Sequence, residues 1–225
     1  MDLTAQIDAY CERTDPGLWA EPLNAVTNLA FLVAAAVMAA RLRGTQTPQG
    51  WALVVLLALI GIGSGLWHTL AQGWTGLADV LPILGFVLVY IYAVVRAGWG
   101  LGRRGALALT AGFFPFAAAT VPLFARLPLL GESAAYLPVW ALIAAHGLLL
   151  RARAPEIARG CIWGASILGL SLLARSLDEP LCAVLPMGTH QAWHLLNALM
   201  LAVMIEALRR HHLARPGAEG ARTAG

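Results

Sequence analysis

Residues 51–71 read WALVVLLALIGIGSGLWHTLA, twenty-one positions without a single Asp, Glu, Lys or Arg. A bilayer core about 30 Å thick takes roughly 20 apolar residues per helix, so this stretch predicts a transmembrane helix. Six more apolar segments lie at about 22–42, 77–96, 105–124, 135–151, 157–175 and 189–209, punctuated by Arg, Gly and Pro. Pro115 predicts a kink in the fourth of the seven. The whole chain has 225 residues, 59% hydrophobic and 12% charged, with a mean hydropathy of +0.71. A soluble domain carries about 25% charged residues. This composition excludes a soluble globule, a disordered chain and a disulfide-dense secreted module. The expected fold is an all-α membrane protein, one seven-transmembrane-helix bundle over residues 1–225. A segment 1–21 precedes the bundle and a polar tail 210–225 follows it.

Charge orients the bundle. All fifteen basic residues are Arg, and with twelve acids they leave a net charge of +3. Twelve Arg fall in the segments on one side of the seven helices, including Arg215 and Arg222 in the tail; only Arg13, Arg126 and Arg175 fall on the other. Cytoplasmic loops carry the Arg excess. The N-terminus is therefore expected outside and the C-terminus in the cytoplasm. No basic run exceeds two Arg, which speaks against nucleic acid as a partner. Asp2, Asp8, Glu12 and Asp15 precede the first apolar run where a basic leader would need Arg or Lys, so no cleaved signal peptide is expected. Those four acids, with Glu21, Asp79, Glu132, Asp178 and Glu179, lie on the outer side; Glu156, Glu206 and Glu219 lie inside. The outward bias reads either as avoidance of positive charge or as the mark of a cation site.

Polar residues converge on the same outer end. Ser64 and His68 share one face of the second helix, Asp79 opens the third, and His190 and His194 open the seventh. Burying such groups in hydrocarbon is costly unless they meet one another or a metal. Two His at i and i+4 can chelate one ion, and three imidazoles with an open position are the usual catalytic zinc set. A zinc ion lowers the pKa of water enough to supply hydroxide near neutral pH. Asp79 then reads as general base and Ser64 as oxyanion donor. Each residue also has a plain reading. A single His in a membrane helix is ordinarily a packing residue, which is how His146 is read. Trp67 and Trp193 read as interfacial belt residues, Asn24 and Asn28 as helix–helix hydrogen-bonding residues, and His211 and His212 as solvated. Cys11 and Cys182 both lie in outer segments, where an oxidising compartment favours a bridge; two free thiols are the alternative.

The ordered set Glu21-x-x-Asn24-x-x-Thr27-Asn28, Ser64-x-x-x-His68, Asp79-x-x-Pro82, Asp178-x-x-x-Cys182 and His190-x-x-x-His194 resembles the alkaline ceramidase family over about residues 8–200. That family lies within a superfamily of seven-helix membrane hydrolases that also contains the adiponectin receptors. The resemblance implies zinc held by His68, His190 and His194, water handled by Asp79, and Ser64 at the carbonyl. It implies hydrolysis of the amide of ceramide to a fatty acid and a sphingoid base. It also implies calcium near the N-terminus, with Glu12 and Glu21 as candidate ligands and Asp8, Asp15 and the Tyr10 carbonyl beside them. Segment 8–15 departs from the ceramidase calcium segment. The Arg-only, Ala- and Leu-rich composition reads as bacterial, which places the chain in an inner membrane with its site toward the periplasm and admits another N-acyl lipid as substrate. Two other functions fit parts of the pattern. One is a non-enzymatic lipid receptor or lipid-binding protein with a structural zinc site. The other is a haem bundle, but His190 and His194 on one face cannot be opposite axial ligands. Protein partners are not legible.

Overall fold

The computed structural model describes residues 2–214, apart from the side chain of Glu132. Glu219, Arg215 and Arg222 of the tail lie outside the described residues. Six helices are long and apolar enough to cross a membrane: α1 (Pro22–Leu42), α2 (Pro48–Leu70), α3 (Gly73–Ala97), α4 (Arg103–Phe124), α6 (Pro155–Ser176) and α7 (His190–Leu213). A shorter apolar helix, α5 (Leu137–Leu149), stands between α4 and α6. No strand occurs among the described residues; a single bridge joins Gln6 to Gln72. Seven apolar helices is the expected count.

Local chemistry explains where the ends differ from expectation. Pro22, Pro48 and Pro155 sit in the first turns of α1, α2 and α6. There the missing N–H is no loss and the fixed φ favours entry. This starts α2 and α6 earlier than their apolar runs. Gln72 and Thr75 form a reciprocal cap, which starts α3 at Gly73 rather than near 77. α7 runs on to Leu213, so the first residues of the expected tail are helical and His211 Nε2 lies 3.2 Å from the Ala97 carbonyl instead of in water. The expected kink in α4 falls at Gly112, between helical stretches Arg103–Ala111 and Phe113–Phe124. The ring of Pro115 accounts for it, since a proline clashes with the carbonyl four residues earlier, here Ala111.

The helices close into a ring in chain order, α7 packing back against α1 and α2. Leu53, Leu57, Ile60, Ile157, Leu172 and Ile205 are fully buried inside it. Large apolar side chains such as Val33, Val55, Leu81, Leu109 and Leu199 face outward, as a lipid-facing surface requires. At the arginine-rich end Glu206 of α7 receives Arg41 of α1 at 2.9 Å, and Arg209 and Arg210 from its own helix. A close contact between α2 and α3 lies at the opposite end. A Cβ added at Gly63 would drive into the Ala78 carbonyl and crowd the Asp79 nitrogen at 3.1 Å. Backbone cannot swing aside as a side-chain tip can. Gly63→Ala is therefore expected to destabilise the bundle by about 1–3 kcal/mol, read as a lower thermal midpoint in detergent. Gly65→Ala, where nothing lies within 4 Å of the added carbon, is the control and should be neutral or mildly stabilising.

Candidate metal centre

α2 brings His68 and α7 brings His190 and His194 to one point. Their candidate ligand nitrogens all lie within 4.8 Å of one another, the one such group of His, Cys, Asp and Glu among the described residues. All three rings are buried. Hydrogen bonds behind the rings fix how they face. His68 Nδ1 is 2.6 Å from Glu21 Oε2. Burial alone would raise the Glu21 carboxyl, but hydrogen bonds from His68, Arg13 and Asn24 outweigh it and hold it below its ordinary range. An ionised Glu21 accepts, so Nδ1 of His68 carries the proton. Thr27 Oγ1 donates to the Leu23 carbonyl at 2.7 Å and lies 2.9 Å from His194 Nδ1. Its one hydrogen is spent on the backbone, so His194 Nδ1 donates to it. The two Nε2 atoms are then both bare, and they face each other at 3.0 Å. Two lone pairs at that separation repel unless a cation lies between or beside them. His190 Nδ1 is also buried and without a hydrogen-bond partner. The arrangement fits a metal ion with imidazole ligands, those of His68 and His194 oriented from behind.

Beside this cluster, Ser64 stands one turn from His68 with its hydroxyl near the Asp79 carboxyl. Both line a cavity of about 530 Å³. Arg175, Trp193 and Asn197 also line it at this level, and Tyr90, Cys161 and His146 line it farther along the bundle. Most of the wall between is aliphatic and aromatic. Trp193 is thus buried against Tyr136 rather than placed in an interfacial belt. His146 bonds locally, Nδ1 lying 2.7 Å from the Leu142 carbonyl, while also lining the cavity. Asn24 and Asn28 keep their hydrogen bonds within α1, to Glu21 and to the Asn24 carbonyl, instead of reaching other helices.

The segment before α1 covers this end. Ile7 N donates to the Ala71 carbonyl at 2.8 Å and Trp74 N to the Leu3 carbonyl at 3.0 Å. The Tyr10 ring then lies over His190, with centroids 3.9 Å apart, and near His68 at 5.0 Å. Burial pushes the Tyr10 phenol up to about 12, so it stays neutral, and it accepts from Trp67 Nε1. Cys11 is joined to Cys182 in a disulfide. The buried Asp178 carboxylate accepts from Cys11 N at 3.1 Å, Thr189 N at 2.6 Å and His190 N at 2.9 Å. It thereby caps the very turn of α7 that presents the first histidine. Gly188 precedes that turn at φ +62°, where an added Cβ would strike the same carboxylate.

A family model described as Ceramidase matches residues 3–221. The chain belongs to the ceramidase family. A comparison with curated proteins found no match. Membership in the ceramidase family supports a ceramide-hydrolysing enzyme of the membrane, with a three-histidine cluster compatible with a metal. In this member of the family the residues expected to hold calcium make the following contacts. Glu12 accepts from the backbone N–H groups of Leu23 and Asn24 at 2.6 and 2.8 Å, Glu21 faces His68, Asp15 accepts from Gly17 N, and Asp8 is exposed. Arg13, Thr27 and the Tyr10 ring contribute to the centre without having been singled out for it by residue type. The one available signal for Arg13 was its position, a rare Arg among the acids of the outer end.

Asp178→Ala removes the cap of α7 and the anchor of Cys11 together. It is expected to cost about 1–3 kcal/mol, seen as a lower unfolding midpoint. Asp178→Asn, which keeps one acceptor oxygen, should fall between that variant and the parent. Equal midpoints for all three would show that the carboxylate holds nothing.

Proposed function

We propose that this chain is a zinc-dependent membrane amidohydrolase that cleaves ceramide or a related N-acyl lipid to a fatty acid and an amine. The observation that carries the reading is the cavity, which joins the Asp79–Ser64 pair beside the histidine cluster to a long apolar wall. From Asp79 to Val94 the lining of α3 extends roughly 22 Å at 1.5 Å per residue. Its volume falls within the usual range of ligand sites, and its character suits an acyl chain with one polar group at its end.

His68, His190 and His194 would hold the zinc, which supplies Lewis acidity for the amide carbonyl and for water. The chain's own residues do the rest. Glu21 and Thr27 keep both Nδ1 protons in place, so the Nε2 atoms of His68 and His194 stay available. The apolar wall takes the acyl tail and leaves the amide at Ser64 and Asp79. Asp79 accepts a proton from the attacking water, and the oxygen adds to the carbonyl carbon. The Ser64 hydroxyl donates to the carbonyl oxygen as negative charge builds there. Asp79 then returns its proton to the amide nitrogen as the C–N bond breaks, releasing carboxylic acid and amine.

The Arg distribution supports an N-terminus outside and a C-terminus in the cytoplasm, hence a site at the outer face. In a bacterial inner membrane that is the periplasmic face. Residues 1–225 act as one domain in this reading.

His194→Ala should lose both bound zinc and hydrolysis of ceramide. Asp79→Asn should keep its zinc while slowing hydrolysis by about 10²–10⁴-fold. Elemental analysis and release of free fatty acid measure the two separately. A zinc-loaded parent that turns over no member of an N-acyl lipid panel would place the protein with the non-enzymatic receptors instead.

A further inference from the structure

Among the described residues, the carboxylates expected around calcium form no group of three or more within reach of one ion. Among the described residues the one cluster of three or more potential metal ligands is the histidine group. What the oxygens surround instead is a side chain. Arg13 is only 7% exposed although it carries a full charge. Its Nε donates to Glu21 Oε1 at 2.6 Å, Nη1 points to the Asp15 and Gly17 carbonyls at 3.3 and 3.5 Å, and Nη2 to the His68 carbonyl at 3.3 Å. One carboxylate and three backbone carbonyls are the donor types that calcium takes. Here they enclose a guanidinium, whose planar fork spreads its charge over several acceptors.

We infer that Arg13 is the resident cation at this end of the bundle and the positioning residue for His68, so that the metal centre is built without calcium. The inference rests on the reading of His68, His190 and His194 as a metal centre. The path is short. Arg13 holds one oxygen of Glu21, and the other oxygen of Glu21 accepts from His68 Nδ1 at 2.6 Å. The guanidinium also reaches the backbone carbonyl of His68 itself. Arg13 thus fixes the ligand from both its ring and its main chain. A divalent ion entering beside it would meet a like charge and a carboxylate already paired. The cation is also covalently part of the chain, two residues from the Cys11–Cys182 disulfide. No concentration of free calcium is needed to keep it there.

Two measurements on the detergent-purified full chain test this. The parent, prepared in calcium-free buffer, is taken through equilibrium dialysis against calcium chloride and through thermal unfolding with and without that salt. The expected result is no retained calcium and an unchanged midpoint. Zinc affinity is then measured by competition with a chromogenic chelator. Arg13→Gln is expected to weaken it by about tenfold to a hundredfold, and Arg13→Lys to recover part of that loss. In a Glu21→Gln background, Arg13→Gln should weaken it by less than in the parent, because only the contact with the His68 carbonyl is left to lose. Stoichiometric calcium on a zinc-containing parent overturns this inference alone, and so does parental zinc affinity in Arg13→Gln. A parent without zinc overturns the metal-centre reading itself. If Arg13→Gln fails to fold, the calcium measurement on the parent and the Lys variant still decide.

Discussion

The Nε2 atoms of His68 and His194 stand 3.0 Å apart, with Glu21 and Thr27 at the opposite nitrogens of the two rings. Much of the bundle is arranged around that contact. α1 supplies Thr27 behind His194, and Glu21 at the foot of α1 stands behind His68. α2 and α7 must meet at this depth and in this rotation. The register of three helices is therefore set by one small polar cluster, while the apolar residues below it supply packing. In a hydrocarbon environment such polar groups carry unusual weight, since any of them left without a partner is costly.

The covering segment belongs to the same arrangement. It is held by backbone bonds to the α2–α3 turn, by the disulfide, by Asp178 and by the Arg13–Glu21 pair. These attachments differ in kind, so no single change of conditions releases all of them. Their common effect is to keep the Tyr10 ring on His190 and Glu21 against His68. The histidine cluster is thus built from both sides: three helices below and one irregular segment above.

The helix count and the histidine cluster were legible because both rest on strong patterns. A run such as 51–71 has few other uses than crossing a bilayer, and three histidines at one end of two such runs must be accommodated by something. The disulfide between Cys11 and Cys182 followed from their common side. Helix ends were less legible, because Pro at a first turn and the Gln72–Thr75 cap extend helices past their apolar runs. The roles of individual acids were least legible. Glu12, Glu21 and Asp178 are all acids of one end, yet one caps α1, one orients His68 and one caps α7. Nothing in composition separates a carboxylate that holds a metal from one that holds a helix. Only the direction of the side chain does.

The placement of Tyr10 has a consequence for how substrate would reach the metal. Its ring lies 3.9 Å from His190 between the histidines and the covering segment. Its phenol is already engaged by Trp67. The flank that the Tyr10 ring leaves uncovered is the one where Ser64 and Asp79 line the cavity. A lipid held by its acyl tail in that cavity presents its amide from within the bundle, and it need not displace the covering segment. Water is needed only in the small polar region at Asp79, Arg175 and Ser64. The same wall that solvates an acyl chain also limits how much water accompanies it, which strengthens every charge–dipole interaction at the scissile bond. In the proposed function the covering segment and the apolar cavity thus have separate tasks: the first holds the histidines and Glu21 in place, and the second would take the acyl chain.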